Sequence, residues 1–303
     1  MPIETRPLHP HVGAEMTGID VRKPLTPAEV DAVNAGMDKH AVLVLPRQDI
    51  TDEQQIEFTK NFGPLQNGAN ATLRRPELRL DPAFADVSNI DKDGEKLARD
   101  DRRRMASLGN RLWHSDASFR VIPARYSILS GRIVVTDGGN TEFADMRAAY
   151  DALDAVIRGE VEDLVCEHSQ IFSRQQLGFT DFTEEERERF HPVRQRLVRT
   201  HPVTGRKSLY LASHAGGIVG WPVPEARFFL RDLVEHATRR EFVYAHKWRV
   251  GDLVMWDNRQ TMHRARPFPA HEPRDMRRTT LAGEGPTVAQ AAASSLGSEE
   301  RRG

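Results

Sequence analysis

The chain has 303 residues, 29% of them charged and 39% hydrophobic, enough to bury a sizeable core in one large domain or two small ones. Its 43 basic and 44 acidic side chains nearly cancel, to a formal net charge of -1, which argues against nucleic acid or a charged membrane surface as partner. No apolar run approaches the roughly 20 residues a bilayer span needs, no signal-peptide segment opens the chain, and the single Cys166 excludes an internal disulfide, so a cytoplasmic protein is expected.

In chain order, Gly13 to Val21 reads as a short strand region. Thr26-Pro27-Ala28-Glu29 is a capping box with proline at the first helical position, followed by Val30, Val33 and Met37 at helical spacing. Ala41 to Pro46 is a short β-rich run that predicts a buried strand. Thr51-Asp52-Glu53-Gln54 opens a second capped helix carrying Ile56. From about 66 to 112 no periodicity is sustained, and Pro76, Pro82 and Gly94 interrupt the segment. A long irregular stretch leading straight into Trp113-His114 predicts a lid.

Beyond it come strands over Tyr126 to Leu129 and Arg132 to Val135, then one amphipathic helix from Asp145 to Arg158 with Met146, Ala149, Leu153 and Val156 on a face. Cys166 follows Leu164 and Val165 and reads as a buried small apolar residue rather than a nucleophile. Thr183 caps a charged helix. Strands at Leu197 to Thr200 and Ser208 to Leu211 precede a helix near Pro224 to Thr238, and strands at Phe242 to His246 and Asp252 to Trp256 follow. Short strands with a few peripheral helices predict a decorated β-sandwich or jelly roll. A single domain over 1–283 is expected, with 284–303 as a mobile tail.

The chemistry-bearing residues are Trp113-His114-Ser115-Asp116 and a distant His263. Alternation along a strand would point His114 and Asp116 to one face, and His263 follows the strand that ends at Trp256. Two imidazoles and one carboxylate suit iron(II) with open positions for substrate and dioxygen. They also suit catalytic zinc, although the usual H-E-x-x-H helix is absent. No G-x-S-x-G elbow, Walker loop or dinucleotide fingerprint occurs either.

Four segments carry a resemblance: Phe62-Gly63-Pro64-Leu65, Leu112 to Phe119, Gly138 to Arg147, and Gly251 to Arg259. From about Pro7 to Leu281 the chain resembles the taurine dioxygenase family of iron(II)- and 2-oxoglutarate-dependent oxygenases, and within it the members acting on aryloxyalkanoates such as 2,4-dichlorophenoxyacetate. The resemblance implies a mainly β fold with peripheral helices, a double-stranded β-helix or jelly roll. It places iron(II) on His114, Asp116 and His263, and 2-oxoglutarate on Thr141 and on Arg274, eleven residues past His263. Arg278, fifteen past it, is implied as the partner of the substrate's carboxylate, with His201 and Asn110 as polar helpers.

The implied reaction consumes 2-oxoglutarate and dioxygen. It hydroxylates the carbon beside the ether oxygen of an aryloxy acid, giving a phenol, glyoxylate, succinate and carbon dioxide. A taurine, sulfonate or other small-carboxylate dioxygenase is the alternative. The chain departs from its relatives in the lid, where Ala71 and Glu95 stand at positions expected to be basic. A homo-oligomer without membrane or nucleic-acid partners is expected.

Overall fold

A computed structural model describes residues 2–66 and 78–289. Both threonine caps act as the sequence demands. Thr26 and Glu29 close a reciprocal box at the start of the helix Pro27–His40, and Thr51 and Gln54 do so for Asp52–Lys60.

Seven strands hydrogen-bond in the order Glu4–Pro7, Ala14–Thr17, Val42–Leu45, Leu253–Asp257, Ala124–Ile133, Asp275–Ala282 and Phe84–Asp86. Only Ala14–Thr17 and Val42–Leu45 run parallel among these neighbours. A smaller sheet sets Thr141–Asp145 between Val243–His246 and Thr261–Ala265. This is a double-stranded β-helix, a jelly roll of two facing sheets with helices outside.

Alternation along the strands sorts the core. Leu43, Leu45, Ile128, Leu253 and Met255 point outward and pack against Val33, Met37 and Phe58 of the two N-terminal helices. Val42, Val44, Leu129, Val254 and Trp256 point inward and meet Phe143 of the small sheet. The outer face of the small sheet, at Ala144 and Met262, is covered by the helix Val223–Ala237 through Leu230 and Leu233. The same parity carries Ser127 and Arg278 to the inner face, while Thr279 on the outer face shares a 2.7 Å hydrogen bond with Thr59.

Several expectations are corrected. Ala124–Ile133 is one strand, not two. The expected helix from Asp145 to Arg158 is two, Met146–Asp151 and Ala155–Val161, because Asp145 and Asp154 each accept hydrogen bonds from the first backbone amides of a helix; Val156 is exposed. The second N-terminal helix buries Gln55, Phe58 and Thr59 rather than Ile56. Within 66–112, where no regular element was expected, Phe84–Asp86 is an edge strand of the large sheet and Arg102–Ser107 a helix; Ala71 lies outside the described residues. Of the expected tail, Glu284 accepts from Arg259 at 3.1 Å and Thr287 donates to Gln195 at 2.6 Å, while 290–303 lie outside the described residues. No helix among the described residues is long and apolar enough to cross a membrane.

Candidate metal centre

His263 lies in the middle of Thr261–Ala265, where it pairs with Phe143 and so shares its inward face. This corrects its expected place at the end of the Leu253–Asp257 strand: the chain leaves the large sheet through Asn258 to Gln260 and enters the small one. His114 does not sit in a strand. A single bridging pair joins it to His263, with His114 N–H donating to His263 O at 3.0 Å and His263 N–H to His114 O at 2.8 Å. The two imidazole rings are 4.2 Å apart, centre to centre. Asp116 then follows in a turn, its N–H donating to Asn258 Oδ1 at 3.0 Å. Ala117 turns the chain away with φ of 53°, a left-handed conformation costly for a residue with a Cβ.

His114, Asp116 and His263 are all buried, and their ligand atoms lie within 4.8 Å of one another. His114 Nε2 is 3.7 Å from Asp116 Oδ1, and His263 Nε2 is 3.6 Å from Asp116 Oδ2. His114 Nδ1 faces Leu112 O at 2.8 Å, which puts its proton on Nδ1 and turns the Nε2 lone pair toward the carboxylate. Burial pulls both histidines below the usual imidazole range, the pull on His114 being opposed by Asp116, so both rings are neutral at pH 7. Burial works against the charge on Asp116, but Arg278 and the two histidines outweigh it and bring its pKa to about 2. Two neutral imidazoles and an ionised carboxylate, held close in a buried site, fit a divalent transition metal such as iron(II).

The expected carboxylate partner, Arg278, lines the cavity beside this cluster, and its Nη1 donates to Asp116 Oδ1 at 2.5 Å, beside Ser127 Oγ, which donates to Oδ2 at 2.7 Å. His201 lies apart from this cavity. It is buried with Nε2 2.9 Å from Arg259 Nη2 and 3.4 Å from Asp257 Oδ2, a core network outside the cavity that His114 lines. Asn110 does line that cavity, together with His114, Asp116, Arg278 and Phe119.

Thr141 begins the central strand of the small sheet, and its Oγ1 accepts from Trp248 Nε1 at 2.9 Å. The preceding Gly138 has φ of 70°, and a Cβ there would fall 2.5 Å from Pro267 O, so the turn requires glycine. Arg274 is buried; its Nη2 donates to Gly139 O at 3.3 Å and its guanidinium lies 5.4 Å from the Phe268 ring centre. Among the described residues no carboxylate pairs with it, and burial alone lowers its pKa to about 10. It lines a second cavity that shares Val87, Ser107 and Asn110 with the first.

Three residues of the first cavity escaped sequence reasoning: Arg174, His214 and Gln170. His214 Nδ1 is 2.9 Å from Ser118 Oγ, which is 3.0 Å from His168 Nδ1, so a buried polar chain runs inward from the site. None of them falls in a motif, and only the pairing of distant segments brings them to His114.

Comparison with known proteins agrees with this geometry. Residues 4–280 match the family described as taurine catabolism dioxygenase TauD, TfdA family. The chain is 46% identical over 280 residues to an alpha-ketoglutarate-dependent 2,4-dichlorophenoxyacetate dioxygenase of Cupriavidus pinatubonensis, covering 92% of this chain and 98% of that one. It is 34% identical to an (S)-phenoxypropionate/alpha-ketoglutarate-dioxygenase of Delftia acidovorans, covering 93% and 95%. The crystal structure of AAD-2 in complex with Mn(II) and N-oxalylglycine superposes with a TM-score of 0.93 at 59% identity, covering 95% of this chain and all of that one. With a match from residue 4 to residue 280, the chain belongs to the TauD, TfdA dioxygenase family.

Proposed function

We propose that the protein is an iron(II)- and 2-oxoglutarate-dependent dioxygenase acting on an aryloxyalkanoate such as 2,4-dichlorophenoxyacetate. The carbon beside the ether oxygen gains a hydroxyl group, and the hemiacetal collapses to a phenol and glyoxylate. 2-Oxoglutarate becomes succinate and carbon dioxide, so the two atoms of dioxygen end in the two products. One observation carries the reading: the buried cluster of His114, Asp116 and His263 opens on a cavity beside a second one, where Arg274 stands without an acid among the described residues. The names of the relatives above support the substrate class. N-oxalylglycine, bound by AAD-2, has the oxo-carboxylate and distal carboxylate of 2-oxoglutarate with NH in place of one CH2.

His114, Asp116 and His263 would hold the iron, which with 2-oxoglutarate supplies the dioxygen-activating chemistry. The chain does the rest. Leu112 O fixes the His114 tautomer, and Ser127 and Arg278 hold the Asp116 carboxylate ionised and oriented. Arg274 would take the distal carboxylate of 2-oxoglutarate, and Thr141, at the end of the Gly138–Gly139 turn, its nearer end. Phe119, Ala106 and Val87 offer the aryl ring an apolar wall and keep water from the reacting carbon.

The test is a panel of acids incubated with the protein, iron(II), 2-oxoglutarate and oxygen, with succinate and phenol both measured. Stoichiometric succinate and phenol from 2,4-dichlorophenoxyacetate are expected. Succinate from taurine and none from any aryloxy acid would move the protein to the sulfonate branch.

A further inference from the structure

Asn258 is the first residue past the strand Leu253–Asp257, where the chain leaves the large sheet for the strand that carries His263. It is fully buried, and both polar atoms of its side chain are engaged. Its Oδ1 accepts from Asp116 N–H at 3.0 Å and from Trp256 Nε1 at 3.1 Å. Its Nδ2 donates to Ser127 Oγ at 3.0 Å and, at 3.5 Å, to Arg125 O. Ser127 Oγ in turn donates to Asp116 Oδ2 at 2.7 Å. From this closed circuit, and resting on the metal reading of the His114, Asp116 and His263 cluster, we infer that Asn258 is a positioning residue of the metal centre: it holds the backbone of Asp116 directly and aims its carboxylate through Ser127.

The direction of each hydrogen bond in the circuit is forced. A main-chain N–H and an indole N–H can only donate, so both must meet the amide oxygen, and the amide nitrogen must face Ser127. A serine hydroxyl has one proton. With Nδ2 donating to Oγ, that proton is left for an acceptor, and the carboxylate oxygen at 2.7 Å takes it. Arg278 donates to the other oxygen, so each oxygen of Asp116 has an assigned donor and keeps lone-pair capacity for a cation. An apolar residue at 258 would leave two buried donors unmet and free the Ser127 hydroxyl to rotate.

Asn258 can act as a fixed point because it is itself held. Its main-chain N–H donates to Arg125 O at 2.9 Å, and Ser127 lies opposite Trp256 in the neighbouring strand. Asp257 locks the crossover on the other side, accepting from Arg259 N–H and from Gln260 Nε2, each at 2.8 Å. One short segment thus leads into the strand of His263 and pins Asp116, which lies 142 residues earlier in the chain. The turn at Asp116 needs such a hold. Ala117 beside it is left-handed, with φ of 53°, a conformation that an alanine would otherwise leave.

The deciding experiment titrates the apoprotein with Co(II), an air-stable stand-in for iron(II), by calorimetry, and records thermal melts of the same samples. Wild type is compared with Asn258→Ala, Ser127→Ala and the double variant. Asn258→Ala should raise the Co(II) Kd on the order of 100-fold, and Ser127→Ala about tenfold. The double variant should stay within about threefold of Asn258→Ala, because the direction of the serine hydroxyl is already lost in that single variant. A role confined to folding lowers the melting temperature and leaves the Co(II) Kd of the folded protein unchanged. That result, or full additivity in the double variant, overturns the assignment. Should Asn258→Ala not fold, Ser127→Ala decides alone: a raised Kd upholds the circuit and an unchanged one overturns it. Wild-type protein that binds no Co(II) overturns the metal reading instead.

Discussion

At the scale of single residues, the three basic side chains near the C-terminal strand show how charge is allotted. Arg277 lies between Asp52 and Asp275 at 2.7 Å from each, Arg278 serves Asp116, and Arg274 is buried without an acid among the described residues. In sequence they read as one basic run, and only Arg274 keeps its charge free for a ligand. Replacing it by glutamine should raise the 2-oxoglutarate KM on the order of 100-fold with little change in melting temperature, since no acid loses its partner. Asp116→Ala should abolish succinate formation. It should also lower stability by roughly 1–3 kcal/mol in urea melts, because Arg278 and Ser127 lose their common acceptor in the interior. The His-x-Asp spacing was legible because two ligands must be near neighbours. Arg174 and His214 were not, because nothing local in their segments marks them. The contact of Arg278 with Asp116 was not legible either, because sequence order cannot say which acid an arginine will meet.

At the scale of elements, the legible parts were those decided locally. The boxes at Thr26 and Thr51 need only four consecutive residues, and both form. Thr51→Ala should cost about 1 kcal/mol by loss of that cap, read as a lower midpoint in urea. The strand Asp275–Ala282 was illegible for a physical reason. Its inner face carries Arg278 and its outer face Arg277 and Thr279, each bonded to a residue of a distant segment, so no hydrophobic alternation survives. Thr141–Asp145 was likewise hidden, since it is central in its sheet and carries a threonine, a glutamate and an aspartate within five residues. The helix predicted over Asp145 to Arg158 kept its periodicity across a break that Asp154 imposes as a cap.

For the whole molecule, buried neutral histidines tie stability to pH. Burial takes His168 from 6.5 down to about 3, so the unfolded chain gains a proton below pH 6.5 that the folded one refuses. Stability is therefore complete above 6.5 and is lost as pH falls from there toward 3, by roughly 1.4 kcal/mol per pH unit for this residue. Thermal melts of His168→Phe should show a shallower acid slope than wild type; parallel slopes would remove His168 from the account. A last consequence concerns the order of synthesis. His114 and His263 are held by reciprocal backbone hydrogen bonds, and Leu253–Asp257 is inserted between Val42–Leu45 and Ala124–Ile133. A nascent chain emerging from the ribosome N-terminus first holds two of the three ligating groups at most until nearly all of its sheet residues have been made. A truncated translation product that stops before His263 therefore cannot assemble the three-residue cluster.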